Sequence, residues 1–261
     1  MSVTLDVIVE YLREFLSIDS IPDDPNAVNG LQVEARGPVV RIVGAVDASL
    51  ATIERIRSNS PKEKGSTLLL VHHGLLWGGN RPVTGSQYRR LALLIESNIA
   101  LYSAHLPLDV HSEVGNNAVL AQRLDVRLQG TFGEYKGVAV GVWGSIAAMS
   151  RHAFASRLAH TVGIDPGEVK VIPGGPEEVR RIGIISGAGG SLVAAARNAG
   201  LDTFVTGEGP HHAYFDAMEG GINLIYGGHY ATETAGVLAL GSHLVTSFNL
   251  PFEFHDHPPG L

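Results

Sequence analysis

The chain has no cysteine among its 261 residues. That excludes a disulfide framework, thiolate metal sites, iron–sulfur clusters and cysteine nucleophiles together. No apolar segment approaches the 18 residues or more of a membrane helix, because Arg, Asn and His interrupt the Ala- and Gly-rich stretches. The opening run, Met1-Ser-Val-Thr-Leu-Asp-Val-Ile-Val-Glu-Tyr-Leu-Arg13, mixes acidic residues into its apolar positions and has neither a basic flank nor a cleavage site. It reads as a helix, not a signal peptide. Low-complexity tracts are missing, and so is a Walker-type loop that would cradle a triphosphate. Positive charge is never massed: 19 basic residues lie scattered along a chain of net charge −7. A broad nucleic-acid surface is therefore not expected, although a small anionic substrate would need only one local arginine cluster. These absences lead to the expectation of a cytoplasmic enzyme or binding protein with no membrane association.

What is present is a globular composition, 44% hydrophobic and 17% charged, long enough for one large domain or two intimate halves. Val3, Val7, Ile8, Tyr11, Leu12 and Phe15 have helical spacing. Ile21-Pro-Asp-Asp-Pro-Asn26 is turn chemistry, and Asn29-Gly-Leu-Gln-Val33 reads as a short strand. Arg41–Asp47 predicts a strand, with Asp47 or Ser49 able to cap the helix behind it. Thr67-Leu-Leu-Leu-Val-His72-His73-Gly74 is a buried strand closing in two imidazoles. Because strand side chains alternate between faces, both rings can address one spot only if the strand stops before them. A helix over 88–97 and a strand over 99–104 ending at His105 follow. Further on, the pattern predicts a helix over 115–124 with an Asn cap, antiparallel edge strands within 126–143, a helix from Ser150 to Thr161, and a linker-like break at Pro173-Gly-Gly-Pro176.

Alternating strands and helices imply parallel βα units, whose ligands gather beyond the carboxyl ends of the strands. The first half then recurs. Arg41-Ile-Val-Gly-Ala-Val-Asp is echoed by Arg181-Ile-Gly-Ile-Ile-Ser-Gly, Leu68-Leu-Leu-Val-His-His by Thr203-Phe-Val-Thr-Gly-Glu208, and Leu101-Tyr-Ser-Ala-His105 by Ile225-Tyr-Gly-Gly-His229. A carboxylate stands four residues after each of the last two histidines, Asp109 and Glu233. The second pair is expected on a helix, where such residues share a face. The first contains Pro107 and is expected in an unconstrained loop. The expected architecture is two similar α/β lobes related by a pseudo-twofold, residues 1–125 with 230–261 and residues 126–229, with His72, His73, His105, Asp109, His229 and Glu233 in the cleft between them. Imidazole and carboxylate without thiolate suit Zn, Mn, Fe or Ni. Six candidate ligands exceed the needs of one catalytic ion, and two carboxylates could bridge a pair of ions about 3.5–4 Å apart.

Asn29-Gly-Leu-Gln-Val, Val46-Asp-Ala-Ser49, His72-His73-Gly-x-x-Trp77, His105-x-Pro-Leu-Asp109, Thr206-Gly-Glu208 with His212, and Gly228-His-x-x-x-Glu233 resemble the Nif-three-like dinuclear-metal-centre family. Its members are often called GTP cyclohydrolase I type 2 homologues. The resemblance implies two divalent ions held by His72, His73, Asp109, His229 and Glu233, with Glu233 bridging, and a toroidal hexamer. His105 matches a recurrent family position and takes an acid/base or supporting role; Glu208 and His212 are the other candidates for moving protons. The chain departs from the family in lacking the long insertion some members carry between the halves, and in Gly209-Pro210-His211, where the family loop is usually less constrained. The function expected is a metal-dependent hydrolase acting on a nucleotide or related small molecule, the GTP assignment resting on resemblance alone. The alternative is a non-enzymatic metal-binding or regulatory assembly protein.

Overall fold

The computed structural model describes residues 3–59 and 64–260. In chain order the elements are α1 (Leu5–Phe15), β1 (Gly30–Val33), β2 (Val39–Asp47), α2 (Leu50–Ser58), β3 (Ser66–His73), α3 (Gly85–Glu96), β4 (Ile99–Ser103), α4 (Leu106–Asp109), α5 (Asn116–Arg123), β5 (Arg127–Tyr135), β6 (Val138–Ser150), α6 (Arg151–Val162), β7 (Lys170–Pro173), β8 (Glu178–Ile184), α7 (Val193–Asn198), β9 (Thr203–Thr206), α8 (Ala213–Gly220), β10 (Asn223–Tyr226), α9 (His229–Phe248) and β11 (Phe252–Phe254). The chain divides into two compact units, Met1–Leu108 with Val237–His257, and Asp109–Gly236 with Pro258–Leu261.

The first unit holds a five-stranded sheet in the order β1-β4-β3-β2-β11. β2, β3 and β4 are parallel neighbours, and β1 closes one edge antiparallel to β4. β3 is buried from Ser66 to His72, as expected of a parallel strand covered on both faces. Val43, Ala45, Leu69, Val71 and Leu101 of this sheet form one core with Ile53 and Ile56 of α2 and Leu94 of α3. The cap of α2 is Ser49, whose hydroxyl accepts from Thr52 N at 3.1 Å; Asp47 has other work.

The second unit holds a six-stranded sheet, β5-β6-β8-β9-β10-β7. Here β8, β9 and β10 are the parallel triad, and β7 pairs antiparallel with β10. In both units an antiparallel strand precedes the triad in the chain and pairs with its third member, a likeness that accords with the expected duplication of a βαβαβ unit. The units are thus two similar α/β folds. Leu120, Leu124, Phe154, Leu158, Ile182, Ile184, Val205 and Ile225 make the second core.

Three sequence expectations change in this unit. The antiparallel pair within 126–143 exists, but only β5 is an edge; β6 runs on to Ser150 and pairs with β8. The Asn cap of α5 is replaced by Gly115, which makes no side-chain cap bond. Pro173-Gly-Gly-Pro176 is not a linker. A Cβ on Gly174 would fall 2.2 Å from Ala217 O, and one on Gly175 2.6 Å from Asn223 N, so these glycines let the connection from β7 to β8 pack its backbone closely against α8 and β10. Ser150 does cap α6, accepting from Ala153 N at 3.1 Å. Among the described residues, no helix is long and apolar enough to cross a membrane.

Candidate metal centre

In the first unit the functional side chains stand at the carboxyl ends of β3 and β4. β3 does not stop before its histidines, contrary to the alternation argument: it continues through His73, which lies opposite Asp47 of β2. Pairing with β4 has ended at Val71–Ser103, so His72 and His73 extend past that neighbour and their rings can lean together over the sheet's end. Ring centroids of His72 and His73 are 4.8 Å apart, with His105 at 5.0 Å from the first and 5.7 Å from the second. One ligand atom from each of the three lies within 4.8 Å of the others.

Each ring is held through Nδ1. His72 Nδ1 meets Ala104 O at 2.9 Å, His73 Nδ1 meets Asp47 Oδ1 at 2.9 Å, and His105 Nδ1 meets Asp23 Oδ1 at 2.8 Å. An oxygen acceptor makes Nδ1 the protonated nitrogen of the neutral ring, so the lone pair is on Nε2, the tautomer a metal ligand needs. Asp23 is itself fixed. Asn29 Nδ2 donates to its Oδ2 at 2.8 Å, while Asn29 Oδ1 accepts from His105 N at 2.7 Å. Burial alone would raise the pKa of Asp23, but the His105, Asn29 and Asp24 N–H contacts outweigh it and hold the carboxyl below its usual value. His105 is therefore not in an unconstrained loop. Its carbonyl accepts from Leu108 N at 2.8 Å and leads into α4. Pro107 fits because the first turn of a helix has no use for that N–H.

In the second unit α9 begins at His229, and Glu233 stands one turn along the same face. His229 Nε2 lies 3.2 Å from Glu233 Oε1, and His229 Nδ1 lies 2.8 Å from Glu208 Oε1. The Glu233 hydrogen bond, resisted by burial and assisted by the charges of Glu233 and Glu208, raises the His229 pKa to about 9. Glu233 is only 3% exposed, and room for it depends on Gly187. That residue has φ +63°, and a Cβ there would come within 2.2 Å of Glu233 Oε1. Asp109, also buried, accepts through Oδ1 from Asn116 Nδ2 at 2.8 Å and Ser186 Oγ at 3.0 Å. Asn116 in turn accepts from Gly236 N of α9 at 2.6 Å.

The expected residues thus fall into His72, His73 and His105 in the first unit, and His229, Glu233 and Glu208 in the second, with Asp109 in its own hydrogen-bonded cradle. His212 is exposed at the start of α8 and, among the described residues, is not drawn into these groups. From the sequence alone, Asp23, Asn116 and Ser186 have no supporting role assigned, and Asn29 and Asp47 are placed only within the family motifs, Asp47 also as a candidate cap. Those motifs, and the place of Asp47 at the end of β2, are the available signal; Asp23, Asn116 and Ser186 carry none locally.

The fold and these side chains define an α/β protein of two similar units carrying His and carboxylate groups that could hold a metal ion. Residues 3–258 match the family Duf34/NIF3 (NGG1p interacting factor 3), and the chain belongs to it. A Deinococcus radiodurans relative called GTP cyclohydrolase 1 type 2 homolog is 40% identical over 259 residues, which span 98% of this chain and 94% of that protein. A relative of the same name from Pyrococcus horikoshii is 42% identical over 259 residues, 98% of this chain and 99% of its own. Among solved structures, TTHA1606 from Thermus thermophilus superposes with a TM-score of 0.86 at 40% identity, covering 98% of this chain and 99% of that one.

Proposed function

We propose that this protein binds two divalent metal ions through His72, His73, Asp109, His229 and Glu233 and uses them to hydrolyse a small molecule, a nucleotide or a related compound. The observation that carries the reading is the backing of the imidazoles. His72, His73, His105 and His229 each commit Nδ1 to a carbonyl or carboxylate oxygen, the outer-shell arrangement that orients histidines toward a cation through Nε2. The donor set of nitrogen and oxygen without sulfur suits Zn, Mn, Fe or Ni. That both groups serve one dinuclear centre, with Glu233 bridging, is carried by the family resemblance.

Such ions, when bound, supply Lewis acidity and bring the ionisation of water toward neutral pH. The chain's own part is to orient and to move protons. Glu208 orients His229, and His105, held by Asp23, is the group we assign to proton transfer, with Glu208 and His212 as the other candidates. The names of the curated relatives suggest a GTP cyclohydrolase type of reaction. We also propose a homo-oligomer, a hexamer by family resemblance; exposed Tyr214, Phe215 and Met218 on α8 are apolar surface that assembly could cover.

The test is elemental analysis of native protein, followed by a turnover screen over nucleotides and phosphoesters with the ion that is found. Metal-dependent turnover supports the hydrolase. Tight metal binding with no turnover across the panel returns the reading to a metal-binding or regulatory assembly protein.

A further inference from the structure

Residues 65–95 contain no Asp or Glu, in a chain with 26 acidic residues. The same stretch contains His72, His73, Arg81, Arg89 and Arg90. The approach to the first-unit imidazoles from the loop after β3 is therefore built without a single carboxylate of its own, whereas the rest of the chain is acidic on balance.

That loop is anchored where it leaves the strand. Gln32 Oε1 accepts from Leu75 N at 2.8 Å, and Gln32 Nε2 donates to Val28 O at 2.6 Å. The Gln32 amide packs so closely on Gly74 that a Cβ there would stand 2.3 Å from Nε2. The Asn29-Gly-Leu-Gln32 motif thereby acts twice, since Asn29 fixes His105 and Gln32 fixes the loop that follows His73. Trp77 comes next, its ring edge-on to His105 at 4.7 Å and to His73 at 6.1 Å. Arg81 then folds back over the residue after Trp77. Its Nε and Cζ lie 2.5 and 2.7 Å from where a Cβ on Gly78 would be, so the guanidinium packs beside the loop backbone next to Trp77. Arg81 is exposed, and among the described residues it has no ion-pair partner. The forked donors of such a guanidinium are suited to an oxyanion.

We propose that Arg81 is the anion-binding residue of this site. It takes the phosphate or carboxylate of a small anionic substrate whose body lies along Trp77 toward His73 and His105. The assignment of that anion as substrate rests on the metal-centre reading above, but anion binding by Arg81 does not need the metal.

The experiment uses the full chain stripped of metal by a chelator, so that an anion cannot bind through a cation. Inorganic phosphate, and separately acetate, is titrated by calorimetry, and indole fluorescence is followed in a Trp143→Phe background where Trp77 is the remaining tryptophan. Expected are saturable binding with a change in Trp77 emission, weakening of about tenfold or more in Arg81→Gln, equivalent to about 1.4 kcal/mol, and an intermediate affinity in Arg81→Lys, which keeps charge but loses the fork. Arg123→Gln, an exposed arginine on α5, should bind as the parent does. The tighter of the two anions identifies the group recognised. Equal affinity in Arg81→Gln and the parent, or no saturable binding of either anion by calorimetry, overturns the proposal. Neither result bears on metal stoichiometry, so failure here and failure of the metal reading are separate events.

Discussion

At the scale of single residues, what distinguishes the histidines of this protein is the oxygen behind each ring. His229 and Glu233 are fixed by a helix and touch directly, whereas His105 is held by Asp23 and Asn29 at a strand end. If His105 moves protons and is not needed to hold metal, His105→Ala should keep most of the metal while turnover falls by about 10²–10⁴-fold. His229→Ala should lose metal first and activity with it. Metal content and turnover measured on the same preparations decide this, and equal depletion in both variants would make His105 a ligand. The proton on His229 gives a second expectation. Its folded-state pKa, about 9, lies above the ordinary 6.5. In the metal-free protein its stabilising contribution is therefore fully present below pH 6.5 and is lost as pH rises through about 9. A cation must displace that proton from Nε2, so apparent metal affinity should climb with pH and lose this dependence above about 9. Calorimetric titrations from pH 6 to 9.5 in buffers of differing ionisation enthalpy test both the trend and the released proton; affinity that falls with pH across that range would contradict it.

Among the elements, the loop after β8 and the start of α9 show how backbone makes room for a carboxylate. Gly187→Ala should cost roughly 1–2 kcal/mol for a left-handed non-glycine residue and should also displace Glu233, so that metal is retained less well. Gly221, at φ +72° with nothing near its Cβ position, is the comparison: Gly221→Ala should cost similar stability and leave metal content unchanged. Denaturant melts with elemental analysis separate the two effects. Ser49→Ala, removing the cap of α2, should cost about 1 kcal/mol without affecting metal. These elements also show what could be read from the sequence. Strand triads, the echo between halves, the Ser150 cap and the helix after His229 were legible because hydrophobic period and capping are local signals. Gly187 was not, since only Glu233, far along the chain, gives its missing side chain a meaning. The same holds for Asn116, read as a cap but used by Asp109 and Gly236, and for Asp23, whose carboxylate serves a histidine 82 positions away. Pro173-Gly-Gly-Pro176 misled for the opposite reason: its composition is that of a linker, and its close packing becomes visible only with Ala217 and Asn223 in place.

For the whole molecule, the proposed centre sets a stoichiometry. Native protein should carry up to two divalent ions per chain, and Glu233→Gln should lose both more readily than His72→Ala does, because a bridging carboxylate serves two ions. A wild type saturating at one ion by elemental analysis would rule out the dinuclear arrangement. Light scattering should return a mass well above the 27.6 kDa of one chain, and a monomer throughout the micromolar range would contradict the assembly.

The division of the chain has a consequence in time. The second unit is nearly continuous, Asp109–Gly236, whereas the first needs Val237–His257 to complete it. During synthesis from the amino end, β2 therefore waits with an open edge until Asp109–Gly236 has left the ribosome and β11 arrives to pair with Ile42, Val43 and Gly44. The first unit is begun first and is completed only after Asp109–Gly236. A chain truncated after Asn249 should accordingly show Asp109–Gly236 protected from protease while β2 remains open to attack, and restoring residues 250–261 should close it.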